Sequence, residues 1–231
     1  MIPKIIHYCW LSNDPIPENL KICMESWKNK LPDYEFKLWS FDCFDINKSC
    51  WVKEAFSNKK YAFAADYIRL YAVYNYGGIY MDMDVEVLQS FNPLLDRNYI
   101  LGYETQQGIE AGVFGAEEKA YWVKLCLDYY ENRHFINSDG TQNTKPLPQI
   151  MFDILNDNNL LQHELFPFTS DYLTCKSYKT GKIETTGNSY TIHHFAGSWI
   201  NNKQKIYKFV QRLLGTKFAK FCSNCYKMIN K

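Results

Sequence analysis

The sequence contains no apolar segment long enough to cross a membrane. No window of the 231 residues approaches the about 20 apolar residues that a spanning helix needs. The N-terminus also lacks a basic stretch followed by an apolar core, the pattern of a secretory signal. Because both patterns are missing, we expect a cytoplasmic protein.

Cysteine is present but lacks the spacing of a disulfide framework or a zinc site. The eight cysteines are scattered through mostly apolar segments, which favours reduced, buried thiols. Cys222 and Cys225 form a single CxxC pair, and no second pair is spaced suitably for zinc. We therefore expect these two thiols to lie on a helix without a structural metal.

Glycine-rich phosphate loops are missing as well, both of the Walker and of the dinucleotide type. The apolar fraction of 46% and the aromatic fraction of 17% are ample for a hydrophobic core and argue against disorder. The length fits one domain. We place this domain at residues 1–202 and a basic amphipathic helix at residues 203–231.

Acidic residues are absent from Thr185 to the C-terminus. Residues 203–231 carry eight lysines and arginines, and apolar residues recur among them at helical spacing. Such a helix either packs against the domain with its lysines in water or lies on an anionic membrane surface. Both interpretations stay open, and we expect no nucleic acid among the partners.

Strand-like and helix-like segments alternate along the chain. Strands are predicted at 4–10, 34–39, 79–81, 98–103, 113–115 and 190–195, and helices at 18–30, 58–76, 117–131 and 148–156. Residues 134–148 are predicted to form a polar loop. This alternation predicts an α/β fold in which helices flank a mostly parallel sheet.

The segment from Tyr61 to Glu86 combines a helix, a Gly77-Gly78 stop, a short apolar strand and a pair of carboxylates. Asp82 and Asp84 are one residue apart, so in an extended chain both would face one hard cation. Such pairs also occur by chance in solvated loops. Here the apolar strand favours a site, because ligands bind at strand ends in α/β sheets.

The preceding helix carries an acid and a base on one face. Asp66 and Arg69 are three residues apart and lie within an otherwise apolar stripe. A buried charge requires a partner. The pair either forms a salt bridge that only stabilises the helix, or it forms one binding site with the carboxylates of the DxD segment. We favour the shared site, which suits a diphosphate.

A histidine pair and a tryptophan are further candidates. His193 and His194 would point to opposite faces of a strand, so at most one can join a given metal. An imidazole with two carboxylates suits Mn²⁺, and Mg²⁺ less well. The alternative is a satisfied core histidine. Trp10, which ends the first predicted strand, either stacks on a nucleobase or packs in the core.

Four ordered segments carry a resemblance to a known family. The chain resembles the DXD-containing glycosyltransferases related to yeast initiating mannosyltransferases. Within that group it is most similar to bacterial capsular and lipopolysaccharide sugar transferases, with clostridial toxin glucosyltransferase domains as distant relatives. The match covers roughly the first 90 residues and the 190–200 block; its segments are IPKIIHYCW, SWKNKLPDYEFKLW, AADYIRLYAVYNYGGIYMDMDV and IHHFAGSW.

The resemblance implies a GT-A fold, with a Rossmann-like, mixed but mostly parallel sheet and the DXD motif at a strand end. It implies that Asp82, Asp84 and His194 hold a divalent cation, Mn²⁺ or Mg²⁺. Whether His193 or His194 is the ligand stays open. Asp66 and Arg69 would act with Asp84 as catalytic residues and hold the sugar hydroxyls and the phosphate side of the donor.

The resemblance also implies a binding site for a nucleotide-sugar donor, a UDP- or GDP-hexose. Trp10 would stack on the base, Tyr80 would contact the ribose together with Asp82, and Ser198 and Trp199 would close over the diphosphate. The acceptor would be a glycan or lipid-linked glycan in capsule, lipopolysaccharide or O-antigen synthesis. The basic segment 203–231 would attach the protein peripherally to the inner face of the plasma membrane.

The expected reaction is metal-dependent hexose transfer with retention of the anomeric configuration. Front-side attack is the expected route. Glu110 is a candidate nucleophile for the alternative route, a double displacement; otherwise Glu110 is a glutamate on the protein surface. Two other classes compete with this interpretation. One is a DxD-type, Mg²⁺-dependent phosphatase, although Glu86 stands where that signature has Thr or Val; the other is a non-catalytic scaffold that binds sugar nucleotides.

Overall fold

The computed structural model describes residues 1–196, in which nine strands and seven helices follow the alternation of apolar and polar segments. The strands are β1 (Ile5–Cys9), β2 (Glu35–Trp39), β3 (Gly78–Met81), β4 (Val85–Val87), β5 (Tyr99–Ile100), β6 (Tyr103–Thr105), β7 (Gly108–Ile109), β8 (Val113–Ala116) and β9 (Thr191–His193). The helices are α1 (Glu18–Lys30), α2 (Cys50–Ser57), α3 (Tyr61–Tyr76), α4 (Tyr121–Asp128), α5 (Leu147–Asp157), α6 (Leu160–His163) and α7 (Ser170–Leu173).

Five strands form the central sheet in the order β2-β1-β3-β8-β5. Strand β1 runs parallel to β2 and to β3, whereas β8 runs antiparallel to β3 and to β5. Two small two-stranded sheets, β4-β9 and β6-β7, lie outside it. The predicted mixed α/β sheet with helical layers is confirmed.

Apolar residues on both sides of the sheet form two cores. One core joins the inner faces of α2, α3, α4 and α5 around Trp51, Ile68 and Phe114. The other lies under α1 and the β4 segment, where Trp27 and Val85 are buried. Because each face of the sheet is covered, the β3 strand is buried along its whole length, and the chain that follows it starts from a rigid base.

Glycine ends the long helix and turns the chain into β3. Gly77 and Gly78 have φ values of +61° and +93°, in the region that favours glycine. A Cβ on Gly78 would lie 2.7 Å from the carbonyl oxygen of Ile5, so only glycine allows β3 to approach β1 this closely. The predicted stop at this dipeptide is confirmed.

Several predicted boundaries differ from the structure because single residues adopt left-handed backbone conformations. Lys59 has φ of +56°, and helix α3 begins at Tyr61 after a separate helix, α2, that the periodicity did not predict. Lys119 has φ of +62°, so the helix predicted at 117–131 is confined to Tyr121–Asp128. Phe195, at +51°, follows the end of β9, which is shorter than the predicted strand.

The predicted helix at 203–231 and the predicted domain limit at 202 lie outside residues 1–196. Among the helices described, none combines the length and the hydropathy of a membrane span.

Candidate metal centre

A tight turn, rather than an extended strand, brings the two carboxylates together. Asp82 follows β3 directly, and the backbone N–H of Val85 donates to its carbonyl oxygen at 3.0 Å. This bond closes a four-residue turn in which Met83 is buried and Asp84 comes back toward Asp82. The predicted extended conformation is therefore wrong here, although the proximity of the carboxylates is as expected.

His193 completes a cluster with the two aspartates. One ligand atom from each of Asp82, Asp84 and His193 lies within 4.8 Å of the others. His193 Nε2 is 3.4 Å from Asp84 Oδ1 and 4.0 Å from Asp82 Oδ2. The antiparallel pairing of β9 with β4 places His193 opposite Val85, next to the turn.

The expectation that His194 joins the aspartates is corrected by this register. His194 Nε2 lies 2.8 Å from Glu86 Oε2, and its backbone N–H donates to the carbonyl oxygen of Asp84 at 3.0 Å. Neighbouring residues on a strand point to opposite faces. The pairing directs His193 toward the carboxylates and His194 away from them.

The three cluster residues perturb one another electrostatically. Burial tends to raise the pKa of Asp84, but the charge of His193, its hydrogen bond and the backbone N–H of Ala196 lower that pKa to about 2. Burial raises the pKa of Asp82 despite the opposing charge of Arg69. Burial disfavours the imidazolium of His193, yet Glu110 and Asp84 raise its pKa well above the usual value. The carboxylates of Glu110 and Asp84 thus favour the charged form of the His193 ring.

Arg69 connects the helix α3 to this cluster. The guanidinium is almost fully buried and lies 4.6 Å from the ring centroid of Tyr80. Its NH1 donates to the carbonyl oxygen of Ala111 at 2.7 Å and lies 3.3 Å from Asp82 Oδ2, while NH2 lies 3.3 Å from Asp66 Oδ1. The predicted salt bridge within the helix is present, and Arg69 also contacts Asp82 of the DxD segment.

Tyr80 and Asp66 contribute hydrogen-bonding groups at the same place. The Tyr80 hydroxyl donates to Asp82 Oδ1 at 2.8 Å. Burial raises the pKa of Asp66 to about 7, and the positive charge of Arg69 only partly offsets this. A carboxyl group with such a pKa can accept or donate a hydrogen bond near neutral pH.

Three residues between β7 and β8 support the site; the sequence analysis named Glu110 in another role and missed Ala111 and Gly112. The segment Glu110–Gly112 supplies the carbonyl oxygen of Ala111 to Arg69 and that of Gly112 to the backbone N–H of Asp82, at 2.8 Å. Glu110 is fully buried, which makes its interpretation as a surface glutamate wrong. A glycine one residue before a buried strand was the only sequence signal for this support.

Trp10 follows β1 and packs partly buried against the second core, and its Nε1–H donates to the carbonyl oxygen of Asp14 at 2.9 Å. It therefore lies at the end of the strand that neighbours β3. Ser198 and Trp199, the other predicted donor-binding residues, lie outside the described part of the chain.

The donor set fits a hard divalent cation. Mg²⁺ and Mn²⁺ favour carboxylate oxygens, and an imidazole suits Mn²⁺ in addition. Neighbouring ligands of an octahedral ion bound at about 2.1 Å lie about 3 Å apart. The separation of 3.4 Å between His193 Nε2 and Asp84 Oδ1 is close to that value. Ala196 N–H already occupies Asp84 Oδ2 at 2.7 Å, so Oδ1 is the oxygen turned toward the cluster.

The fold and the site together define a GT-A-type protein with a DXD motif at the end of a buried strand. A solved structure, the PaToxG glycosyltransferase, is similar over 70% of this chain and 72% of its own, with a TM-score of 0.51 and 16% identity. Residues 17–101 match the family described as "Glycosyltransferase sugar-binding region containing DXD motif". In this region the chain is similar to the DXD-motif glycosyltransferases.

Curated relatives in yeasts match about half of the chain. "Inositol phosphoceramide mannosyltransferase 3" of Schizosaccharomyces pombe is 34% identical over 118 residues, which is 49% of this chain and 33% of that protein. "Mannosyl phosphorylinositol ceramide synthase SUR1" of Saccharomyces cerevisiae is 31% identical over 143 residues, 59% of this chain and 37% of that protein. The matches thus span about a third of the length of these relatives.

Proposed function

We propose that this protein transfers a hexose from a nucleoside-diphosphate sugar to a hydroxyl of a glycan or glycolipid. The observation that carries the proposal is the cluster of Asp82, Asp84 and His193 at the end of β3. Two carboxylates and an imidazole provide the ligands for a divalent cation, and the adjoining Asp66–Arg69 pair provides groups for polar contacts.

Asp82, Asp84 and His193 would hold the cation, with Mn²⁺ favoured by the imidazole. When bound, the ion supplies positive charge that stabilises the diphosphate as it leaves the anomeric carbon. Arg69 fixes the position of Asp82 and adds a positive charge beside it. These residues thereby determine where the negative charge of the leaving diphosphate would be stabilised.

The donor sugar would lie against Asp66 and Arg69, and its nucleotide against Trp10 and Tyr80. A carboxyl group with a pKa of about 7 can exchange hydrogen bonds with sugar hydroxyls in either role, which supports this place for Asp66. Ser198 and Trp199 are proposed to contact the diphosphate. UDP and GDP both remain candidates for the nucleotide.

We propose transfer with retention by front-side attack. Glu110 is fully buried, and both its carboxylate oxygens accept hydrogen bonds from the protein, so it is not placed to attack a sugar. Asp82 is engaged by Tyr80 and Arg69, which argues against the nucleophilic aspartate of a phosphatase. These contacts favour the transferase over that rival.

The acceptor is proposed from the names of the relatives. Both yeast proteins are named for mannose addition to an inositol phosphoceramide, which supports a lipid-linked acceptor. Surface polysaccharide synthesis at the cytoplasmic face of the membrane is the setting that we propose, with residues 203–231 as the membrane contact. Co-sedimentation with vesicles of 30% anionic lipid at low salt would test the contact; equal recovery of the full chain and a chain ending at 202 would contradict it.

The experiment for the proposed function combines binding and transfer. Calorimetry with UDP and with GDP should show nucleotide binding that requires Mn²⁺, and a panel of nucleotide sugars should raise the melting temperature only with the correct donor. Asp84→Asn should abolish metal-dependent binding and sugar transfer, whereas the exposed Asp157→Asn should leave both intact. Transfer by Asp84→Asn at the wild-type rate would show the assignment to be wrong.

A further inference from the structure

Glu110 lies directly behind His193, on the side away from the aspartates. Glu110 is fully buried, and its Oε1 is 3.0 Å from His193 Nδ1. The same oxygen accepts the backbone N–H of Gly112 at 2.7 Å, and Oε2 accepts the hydroxyl of Thr174 at 2.6 Å. A buried carboxylate with a donor on each oxygen is fixed in one orientation.

These contacts determine which nitrogen of His193 faces the aspartates. Because Oε1 of a carboxylate only accepts hydrogen bonds, Nδ1 must carry a proton to satisfy the contact. In the neutral ring Nε2 then has the free lone pair, and Nε2 is the atom 3.4 Å from Asp84 Oδ1. A neutral imidazole with the opposite tautomer could not bind a cation at that position.

Thr174 and Gly112 fix this arrangement from two further elements. The carbonyl oxygen of Thr174 accepts the backbone N–H of His193 at 3.0 Å, so Thr174 holds both Glu110 and the strand that carries the histidine. A Cβ on Gly112 would lie 2.5 Å from His193 Cε1, so the ring packs against the bare backbone. Contacts with Glu110, Thr174 and Gly112 therefore fix the position of the His193 ring.

We propose that Glu110 is a positioning residue that holds His193 protonated at Nδ1, with Nε2 directed at a divalent cation between Asp82 and Asp84, and that Thr174 fixes Glu110 in this role. The inference deepens the proposed function, because it rests on the metal centre assigned there. Hydrogen bonds of this kind from a ligand histidine to a carboxylate orient the ring and strengthen the metal bond.

The first test measures Mn²⁺ affinity by calorimetry. Glu110→Ala should weaken binding by about 10- to 100-fold. Glu110→Gln retains an oxygen that can accept hydrogen bonds from Nδ1 and Gly112, so it should keep most of the Mn²⁺ affinity that Glu110→Ala loses. Thr174→Val removes the hydroxyl that fixes Oε2 and should weaken binding by a smaller factor. Asp84→Asn, which removes a ligand charge, should weaken binding more than any of them.

The second test observes the ring itself and requires no enzymatic activity. In nitrogen-detected NMR of the wild-type imidazoles, His193 Nδ1 should be protonated both in the free protein and after addition of Mg²⁺. In Glu110→Ala the neutral ring should lose this preference, while Glu110→Gln should keep it. If the alanine variant does not fold, the Mg²⁺-bound wild type decides, because a ring protonated at Nε2 and not at Nδ1 in that state would contradict the inference.

A matched control is available elsewhere in the fold. Glu54 on α2 makes the same type of contact, with Oε1 2.6 Å from His134 Nδ1 and Oε2 accepting the backbone N–H of Ile136 at 3.0 Å. Glu54→Gln should leave Mn²⁺ affinity unchanged. A His193 without a proton on Nδ1, or wild-type affinity in Glu110→Ala, would overturn the inference. Absence of Mn²⁺ binding to the wild type would instead refute the metal centre, whereas the NMR result would still decide the role of Glu110.

Discussion

The replacement Gly112→Ala isolates the contribution of backbone packing to the site. Gly112 contributes no side chain, yet an added Cβ would lie 2.5 Å from His193 Cε1, 2.8 Å from its Nδ1 and 2.9 Å from Glu110 Oε1. Gly112 is not among the residues with positive φ, so alanine can adopt its backbone conformation. The effect of the methyl group is therefore steric.

The size of the effect follows from these distances. Ordinary carbon contacts lie at about 3.5–4.0 Å, so the imidazole must retreat by roughly 1 Å or the 110–112 backbone must move. The ring has little freedom to do so, because Glu110 holds Nδ1. Overpacking of this kind costs about 1–3 kcal/mol of folding free energy. A displaced ligand should also weaken Mn²⁺ binding by about 10- to 100-fold.

Two assays check this prediction. Thermal unfolding should show a melting temperature lowered by about 2–12 °C, since 1 kcal/mol corresponds to about 2–4 °C for a chain of this size. Calorimetry should show the loss of metal affinity. The control is Gly187→Ala, where the added Cβ has no atom within 4 Å and φ is also not positive. A Gly112→Ala protein with wild-type melting temperature and wild-type Mn²⁺ affinity would refute the reasoning.

Two further predictions concern buried polar groups. Arg69→Lys should lower the free energy of unfolding by about 2–4 kcal/mol, because lysine cannot reproduce the forked contacts of a buried guanidinium. Urea unfolding would measure this change, with the exposed Arg133→Lys as the control. An equal effect of the two substitutions would contradict the prediction. Burial lowers the pKa of His7 from 6.5 to about 4, partly opposed by its hydrogen bond to Gly77. The unfolded chain therefore binds more protons at His7 between these pH values, and this residue alone should contribute a rise in stability on the order of 3 kcal/mol from pH 4 to pH 7. His7→Gln should flatten that rise and exposed His163→Gln should not; identical pH profiles for the two variants would show the assignment to be wrong.

Local sequence patterns were sufficient for the elements that carry the motif. Helix α1 has the predicted bounds, and α3 ends at the predicted Gly77-Gly78 stop. The apolar strand β3 delivers Asp82 as expected. These features depend on periodicity, on glycine backbone freedom and on burial, all of which act over a few residues and can be read from the sequence.

Features that depend on long-range contacts were predicted incompletely. The alternation rule predicted that only one of His193 and His194 could face the aspartates, but not which one. The register of β9 against β4 decides this, since Val85 lies opposite His193. Helix α2 and the left-handed residues Lys59 and Lys119 were missed, although Ser49 caps the start of α2 by accepting the backbone N–H of Val52.

The sequence by itself determined the class of chemistry. A carboxylate pair after a buried strand, an acid and a base on the preceding helix and a distant histidine pair define the types of ligand and the order in which the chain supplies them. Only the tertiary structure decided which atoms meet. Glu110, Gly112 and Thr174 surround His193 although no motif connects them, because contacts between segments this far apart in the chain arise from strand register and core packing.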